Sequence, residues 1–310
     1  MKTNPIPLIF VCALALTVVA PSALAQRQLG MKKGPVSKMY MAEVEGESQI
    51  QNGDKIYTAR QATAFDAPGT VIETKANSHN TLVFSNGTGL FVDQSTHVEI
   101  NRFVQEPFRP ERNNQLDAPY EPSISQSEVV LSRGAVGICT SQLISGSSMY
   151  YSTPQASANI RGGRVSIETN PTETVIDLLD GDLTVRHSDG DVGGQILRPG
   201  ERATIRMAEA GQKPVVSIGP IPKESMIAAE ERTASACNAR KSVTFEVIER
   251  MSEAGLDQPT EGEIAGDGTA PADDSEAAGE GGDQEIIAKP TVPQNPPTNI
   301  VVSPDRLPGT

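Results

Sequence analysis

The chain has 310 residues and a formal net charge of −13, and residues 251–310 carry twelve acidic side chains against two basic ones. The first 250 residues are close to neutral, with 27 acidic and 24 basic side chains, which excludes the basic surface typical of a nucleic-acid-binding protein. The chain has no Trp and an aromatic content of 4%, which argues against a surface that stacks sugars or bases.

The first 25 residues have the pattern of a cleavable signal peptide. Lys2 gives a basic start, Leu8–Ala20 is a short apolar run, and small residues at Ala23 and Ala25 precede Gln26. This order of features predicts export and cleavage after Ala25, and the alternative is an uncleaved N-terminal anchor. No later stretch approaches the length that spans a bilayer. The mature chain is therefore expected to have no membrane span and to be periplasmic or secreted.

Residues 39–218 predict an all-β domain. Short runs of alternating apolar residues are separated by turn dipeptides, a pattern typical of a β-sandwich or a solenoid of short strands. The clearest hairpin signal is Asn86-Gly87, which favours a type I′ turn. The other turn dipeptides are Asn52-Gly53, Pro68-Gly69, Gly162-Gly163, Asp180-Gly181, Asp189-Gly190 and Pro199-Gly200.

One segment interrupts this rhythm and another follows it. Residues 103–127 contain four prolines among charged and amide residues and predict a long surface loop. Residues 223–252 change to a helical period, which predicts one helix, or two with a break near Ser242, packed against the β domain. The predicted apolar stripe comprises Ile227, Ala234, Cys237, Val243, Val247, Ile248 and Met251.

The C-terminal residues 255–310 predict a disordered tail. They combine Gly, Ala, Pro and acidic residues with few large apolar side chains, so too little surface is available for burial to offset the entropy of ordering. The one β-like piece is Asn299–Ser303, interpreted either as an accidental apolar cluster or as a strand for a sheet edge.

Two cysteines remain after removal of the predicted signal peptide, and they are candidates for a disulfide. Cys139 lies in an apolar predicted strand, and Cys237 lies on the apolar stripe of the predicted helix, so a helix folded onto the β domain would bring them together. An oxidising compartment favours the bond. The alternative is two buried free thiols acting as small hydrophobic side chains.

The histidines give no converging catalytic or metal-binding set. His97 and Glu99 alternate on one strand face and could offer two metal ligands, but His97 is interpreted as a solvent-facing strand residue. His79 and His187 lie beside predicted turns.

The acidic and motif-based alternatives are equally weak. Asp180-Gly181-Asp182 and Asp189-Gly190-Asp191 match no calcium-loop spacing and are interpreted as turns. The nucleophile elbow, the zinc helix motif and the phosphate-binding loops are absent from the sequence. We therefore expect a protein that is not an enzyme, with no cofactor and no metal.

Residues 40–207 contain a set of motifs in a defined order: Ala42–Gly46, Asn52–Ile56, Asn80–Val92, Thr153-Pro154, Ile160–Gly162, Leu179–Val185 and Leu197–Arg202. This set resembles the FecR domain. The resemblance implies a β-rich, solenoid-like extracytoplasmic domain. In one branch of that family the domain receives a signal from an outer-membrane transporter and passes it to a cytoplasmic anti-sigma segment. Because a leader is predicted at residues 1–25, we expect a stand-alone exported form without that segment.

Three functional hypotheses follow from the sequence. The first is a non-catalytic, exported FecR-domain protein that acts as a binding or sensory module for an unknown envelope protein or polymer. The second is a structural envelope scaffold, with the acidic tail as a spacer. The third is an enzyme with an unrecognised site.

Overall fold

The computed structural model describes residues 37–108, 118–187, 193–207, 215–250 and 283–290. The predicted signal peptide and Asn299–Ser303 lie outside these residues. The described residues form seventeen β-strands and one α-helix, which confirms the predicted all-β class with a helix on the C-terminal side. The elements are β1 Lys38–Glu45, β2 Ser48–Asn52, β3 Lys55–Thr58, β4 Thr63–Asp66, β5 Thr70–Thr74, β6 His79–Phe84, β7 Gly89–Val92, β8 His97–Gln105, β9 Ser125–Thr140, β10 Ser148–Ser152, β11 Ser157–Thr169, β12 Glu173–Arg186, β13 Gln195–Leu197, β14 Glu201–Arg206, β15 Val215–Pro220, α1 Lys223–Arg240, β16 Val243–Arg250 and β17 Asp283–Pro290.

The strands β1–β15 form two stacked layers, and the three long strands β9, β11 and β12 run through both. Layer A has the order β15-β14-β12-β11-β9-β7-β6-β1-β4. Layer B has the order β13-β12-β11-β10-β9-β8-β5-β2-β3. The stack therefore has one end at β13 and β15 and the other at β3 and β4.

The hydrophobic core lies between the two layers. Burial alternates along strands such as β5 and β8, where one face points inward and the other is partly exposed. This alternation is the period-two pattern that the sequence shows. The completely buried side chains include Met39, Met41, Ile50, Ile72, Leu82, Leu90, Val98, Ile100, Leu131 and Ile138.

Two opposed glycines allow the long strands to pass from one layer to the other. Gly163 in β11 faces Gly181 in β12, with φ values of +107° and +97°. A Cβ atom on Gly163 would lie 2.0 Å from the carbonyl oxygen of Asp180. The prediction that Gly162-Gly163 and Asp180-Gly181 are turns between strands is therefore wrong. Both dipeptides lie inside strands, at a bend that only glycine accommodates.

The Asn86-Gly87 hairpin is confirmed, although its turn type differs from the prediction. The hairpin joins β6 to β7, and Gly87 donates its backbone N–H to the Phe84 carbonyl at 2.8 Å. Gly87 has a φ of +84°, whereas Asn86 is not in the left-handed region. The turn is thus not type I′, since that turn requires positive φ at both central residues.

The helix α1 lies on the outer face of layer A, directly over Gly89 and Gly137. A Cβ atom on Gly89 would lie 2.0 Å from the Ala236 carbonyl oxygen, and one on Gly137 would lie 2.4 Å from the carbonyl group of Arg232. The close approach leaves space for small side chains only. Accordingly, the buried helix residues are Ala229, Thr233, Ala236 and Ala239.

The predicted apolar stripe of this helix is wrong. Ile227 is 62% exposed and Ala234 is also exposed, while Cys237 is half-buried. The residues that face the sheet are small rather than strongly hydrophobic, because the close approach of the helix at Gly89 and Gly137 leaves no space for a large side chain. A search for large apolar residues therefore identifies the wrong face.

Two largely buried arginines, Arg232 and Arg202, join the helix to the strands. Arg232 Nε lies 2.8 Å from Asp93 Oδ2, and its Nη1 donates to Glu168 at 3.2 Å. Near the start of the helix, Arg202 donates two hydrogen bonds to Asp177 at 2.6 and 2.7 Å and a third to Ser225 at 3.1 Å. Asp177 raises the pKa of Arg202 by these hydrogen bonds. Removal of either partner would leave the other charge uncompensated in a mostly buried position.

The structure corrects the predicted ends of the helix and the tail. Helix α1 ends at Arg240, and β16 follows the predicted break near Ser242, so residues 243–250 are not helical. β-branched and aromatic residues such as Val243 and Phe245 favour a strand, and both pack against Tyr40 and Phe108. β16 pairs with β17, Asp283–Pro290, which lies within the predicted disordered tail. The remaining residues of 255–310 lie outside the described ranges.

We predict that Gly137→Ala lowers the free energy of unfolding by about 1–3 kcal/mol, because the new methyl group would force α1 away from layer A. Urea denaturation of the purified chain measures this change. Gly219→Ala is the matched control, since nothing lies within 4 Å of a Cβ at Gly219 in β15. Equal stability of the two variants would contradict the close approach of the helix.

Candidate functional site

The two candidate cysteines are joined in the structure. Cys139 and Cys237 form a disulfide with an S–S distance of 2.05 Å and a Cα–Cα distance of 5.1 Å. Cys139 is buried on the outer face of β9, so the bond attaches α1 to layer A. Arg240 lies beside it, with Nη1 3.6 Å from Cys139 Sγ and Nη2 donating to Ser141 Oγ. This arrangement is that of a structural cross-link beneath a helix.

The histidines lie apart, each in a different setting. His79 is the first residue of β6 rather than part of a turn, and its Nε2 lies 3.2 Å from Glu45 Oε2. His97 is half-buried in β8, where its strand neighbours are Glu73 and Arg133. His187 follows the end of β12.

The acidic alternatives do not assemble a metal site. Asp180 and Asp182 belong to β12, at the bend described above, and Asp189-Gly190-Asp191 lies outside the described residues. Within the described ranges, no group of three or more His, Cys, Asp and Glu residues could hold a metal ion. In the same part of the chain, no helix combines the length and the apolar character needed to cross a membrane.

The predicted Pro-rich loop is shorter than expected. Its ends belong to strands, because β8 extends to Gln105 and β9 begins at Ser125, and Phe103 is buried in the core. Phe108 packs against Tyr40 on the outer face of layer A. Residues 109–117 lie outside the described ranges. The described parts of this segment are therefore anchored on the β domain.

A buried carboxylate holds the returning end of this segment. Glu121 accepts hydrogen bonds from Ser125 Oγ at 2.6 Å and from the Ile144 backbone N–H at 2.9 Å. Asn86 Nδ2 in turn donates to Ser125 Oγ at 3.1 Å. Burial raises the pKa of Glu121, although these hydrogen bonds oppose the shift. The cluster orders the backbone between β8 and β9. Its polar groups are hydrogen-bonded to one another, which indicates a structural role.

The candidate binding site is a cleft at the β3/β4 end of the stack. Residues directly opposite one another in neighbouring strands share a face. In layer B the inward row Val98, Ile72 and Ile50 ends at Tyr57 of β3. The core is therefore open at this end.

Layer A closes the other side of the same opening. Its inward row Phe84 and Met39 ends at Phe65 of β4. The space between the two strands has a volume of about 310 Å³ and is lined by Tyr57, Thr58, Arg60, Thr63 and Phe65. Phe65 packs partly against the core, whereas Tyr57 is 42% exposed and its neighbour Ile56 is 65% exposed. We call this space the end cleft.

The polar groups around the end cleft are of two kinds. On one side, Asn52 Nδ2 donates to the Asp66 carbonyl at 3.0 Å and to Thr70 Oγ1 at 2.7 Å, which ties the two layers together. On the rim, the exposed side chains of Lys55 and Arg60 form no ion pair with any described residue. The rim therefore carries two positive charges that are available to a ligand.

Sequence reasoning missed the residues of the end cleft. A half-buried strand alternates apolar and polar residues, but β3 places Ile56 beside Tyr57, so both faces carry an apolar group. Such a strand must expose one of them unless both faces are covered. This departure from alternation, directly after the Asn52-Gly53 turn, was the signal that the sequence contained.

Comparisons with known proteins find similarity only to solved structures, and at a low level. No protein-family model matches the chain, and no curated protein matches it either. Two crystal structures of a putative anti-sigma factor from Parabacteroides distasonis ATCC 8503 align with TM-scores of 0.35 and 0.34 and identities of 12% and 13%. They cover 51% and 52% of this chain, which spans 64% and 73% of theirs.

We predict that loss of the disulfide destabilises the chain. The bond closes a loop across a sequence separation of 98 residues, and the chain-entropy model assigns a loop of this size about 4–5 kcal/mol. A chain with both Cys139→Ala and Cys237→Ala should therefore unfold at a lower urea concentration. A reductant should lower the stability of the natural chain only. Two titratable thiols in the unfolded, unreduced chain would contradict the bond.

Glu121 should give stability a defined pH dependence. Its pKa in the folded chain is raised above the ordinary value of 4.5, so its contribution is fully present below that value and is lost as the pH rises through the folded pKa. Glu121→Gln should therefore gain stability relative to the natural chain as the pH rises from about 4 to 7. Urea denaturation across this range measures the difference. Glu128→Gln, at an exposed position of β9, is the control, and an equal pH dependence of both variants would contradict the assignment.

Proposed function

We propose that this chain is an exported, non-catalytic FecR-like module that binds a protein of the cell envelope at its end cleft. The observation that carries the proposal is the opening of the hydrophobic core between Tyr57 and Phe65. An apolar patch bordered by unpaired polar and charged groups is characteristic of an interaction site on an exported protein. The order of the FecR-like motifs and the signal-peptide pattern support the class and the compartment.

The distribution of exposed apolar side chains supports a binding role for the ends of the stack. Large hydrophobic residues are exposed at few places among the described residues. Most lie on the terminal strands or beside them: Ile56 and Tyr57 at one end, and Ile196, Met207, Val215 and Ile218 at the other. The β3/β4 end is the better binding site, because there the exposed groups border a concave space.

Binding without catalysis is also the reading that the site's chemistry favours. The end cleft is lined by an aromatic pair, two threonines and one arginine. A guanidinium group can hold an anion, but the lining residues offer no general base or activated nucleophile. The sequence motifs for nucleophilic and metal chemistry are absent from the chain.

A scaffold that assembles from copies of the chain is the second candidate. It is favoured by the exposed apolar residues at the β13/β15 end, where Ile196 is 75% exposed and Val215 is 60% exposed. Two ends with unpaired strands permit end-to-end contacts. Assembly of the purified chain, measured by sedimentation, distinguishes this role from binding to another protein.

Site-specific photo-crosslinking in the native host tests the binding role. A photoreactive phenylalanine analogue at position 57 replaces a similar aromatic ring, and the same analogue at Ile196 is the matched control. We expect position 57 to capture a defined envelope protein and position 196 not to capture it. N-terminal sequencing of the crosslinked chain should begin at Gln26. Capture of the same protein only from position 196, or a chain that still begins at Met1, would contradict the proposal.

A further inference from the structure

Strand β3 leaves backbone hydrogen-bonding groups unpaired at the edge of layer B. In the β2–β3 hairpin, Ile50 is opposite Tyr57 and Gln51 is opposite Ile56. The Ala59 N–H donates to the Ser48 carbonyl at 2.9 Å, which fixes the alternation of bonded and non-bonded pairs along the hairpin. By this alternation, the N–H and C=O groups of Ile56 and Thr58 point away from β2. No other strand among the described residues pairs with β3.

Strand β4, on the other side of the end cleft, has fewer free backbone groups than β3. In β4, the backbone groups that point away from β1 belong to Ala64 and Asp66, since Ala67 N–H bonds to Ser37 across the same pair of strands. The Asp66 carbonyl already accepts hydrogen bonds from Asn52 Nδ2 and Thr70 Oγ1. Strand β3 therefore has more backbone groups available to an added strand than β4 has.

Resting on the proposed function, we infer that the ligand of the end cleft is an extended acidic peptide segment that adds to β3 as a further strand of layer B. Strand addition satisfies the free groups of Ile56 and Thr58 and obtains its specificity from alternate side chains. The residue opposite Tyr57 would enter the end cleft between Tyr57 and Phe65, so a large apolar side chain is required there. Residues on either side of it would lie on the outer face, near Ile56.

The positive charges of the rim predict which peptide side chains lie on the same face as the apolar residue, two positions before and after it. Residues two apart on a strand share a face, so Lys55 lies on the same face as Tyr57. Arg60 lies at the other end of the lining. An Asp or Glu two residues before or after the apolar residue would therefore approach one of these unpaired cations. The recognition pattern is acid, any residue, large apolar residue, any residue, acid.

This charge pattern also opposes occupation by a second copy of β3. Antiparallel pairing of two β3 edges would place positive rims close together, and like charges opposite one another in a sheet are destabilising. An acidic strand meets the opposite charge instead. Charge complementarity therefore selects the acidic peptide as the occupant.

The test uses the mature chain and a labelled peptide, acetyl-Thr-Glu-Val-Leu-Val-Glu-Thr-amide, with binding followed by fluorescence anisotropy. Thr58→Pro removes an outward N–H without removing a hydrogen bond to β2, and proline is tolerated at such edge positions. Thr58→Ala is its matched control, because it keeps that N–H. We expect Thr58→Pro to abolish binding and Thr58→Ala, which removes only the side chain, to weaken it far less.

Charge reversal tests the acidic part of the pattern. Lys55→Glu should weaken binding of the Glu peptide by about tenfold. Of two peptides that each carry Lys in place of one Glu, the peptide whose Lys lies opposite position 55 should regain the lost affinity on that variant, because its other Glu still faces Arg60. Tyr57→Ala should weaken binding of each peptide, whereas Ile196→Ala should have no effect. Circular dichroism and urea denaturation establish that each variant is folded.

The outcomes separate this inference from the proposed function. Peptide binding that is unaffected by Thr58→Pro, or no peptide binding while position 57 still captures an envelope protein, would overturn strand addition and leave the binding role intact. Failure of both experiments would overturn the proposed function as well. A dimer that Thr58→Pro dissociates would identify a second copy as the occupant and would overturn the inference.

Discussion

Backbone pairing along the stack is the constraint on which the rest of the structure depends. Each strand satisfies its polar backbone groups through its two neighbours, and the long strands β9, β11 and β12 extend this pairing from layer A into layer B. The opposed glycines Gly163 and Gly181 make the passage between layers sterically permissible. Among the described strands of the stack, those with a single neighbour are β3, β4, β13 and β15, because a stack that does not close into a barrel always has two ends. The location of the free edges thus follows from the topology.

The outer faces of the two layers differ: a helix covers layer A, and polar side chains cover layer B. Both arrangements leave the ends of the stack as the places where a ligand can reach apolar groups. Layer A is covered by α1, which is held at a short distance by Gly89 and Gly137, by the Cys139–Cys237 disulfide and by Arg232. Layer B carries polar rows, and the ion pair of Arg133 with Glu73 spans one of them at 2.7 Å. Among the described residues, neither face offers an extended apolar surface. Apolar groups and free backbone groups occur together at the ends of the stack, and at the β3/β4 end they border a concave space.

The sequence predicted the class of the fold well and its long-range arrangement poorly. Alternating apolar residues identified the strands, and Asn86-Gly87 identified a hairpin, because both are local patterns. The glycines at 163 and 181 were misread as turns, since a positive φ within a bent strand has the same sequence signature as a turn. The helix face was misread because Ala229 and Ala236 oppose glycines that are distant in sequence. The end cleft was missed for the same reason, as Tyr57 and Phe65 meet only through the stacking of two layers.

The two ends of the stack differ in the length and the charge of their open edge strands. At one end, the layer B edge β13 has only three residues and offers little template for pairing, whereas the layer A edge β15 has six residues. At the other, β3 and its flanking rim carry Lys55 and Arg60 beside Ile56 and Tyr57. Positive charges on an edge strand discourage pairing with a like strand, and they leave an acidic strand as the favourable neighbour. The features that keep β3 from self-association are therefore the same features that give the end cleft its selectivity.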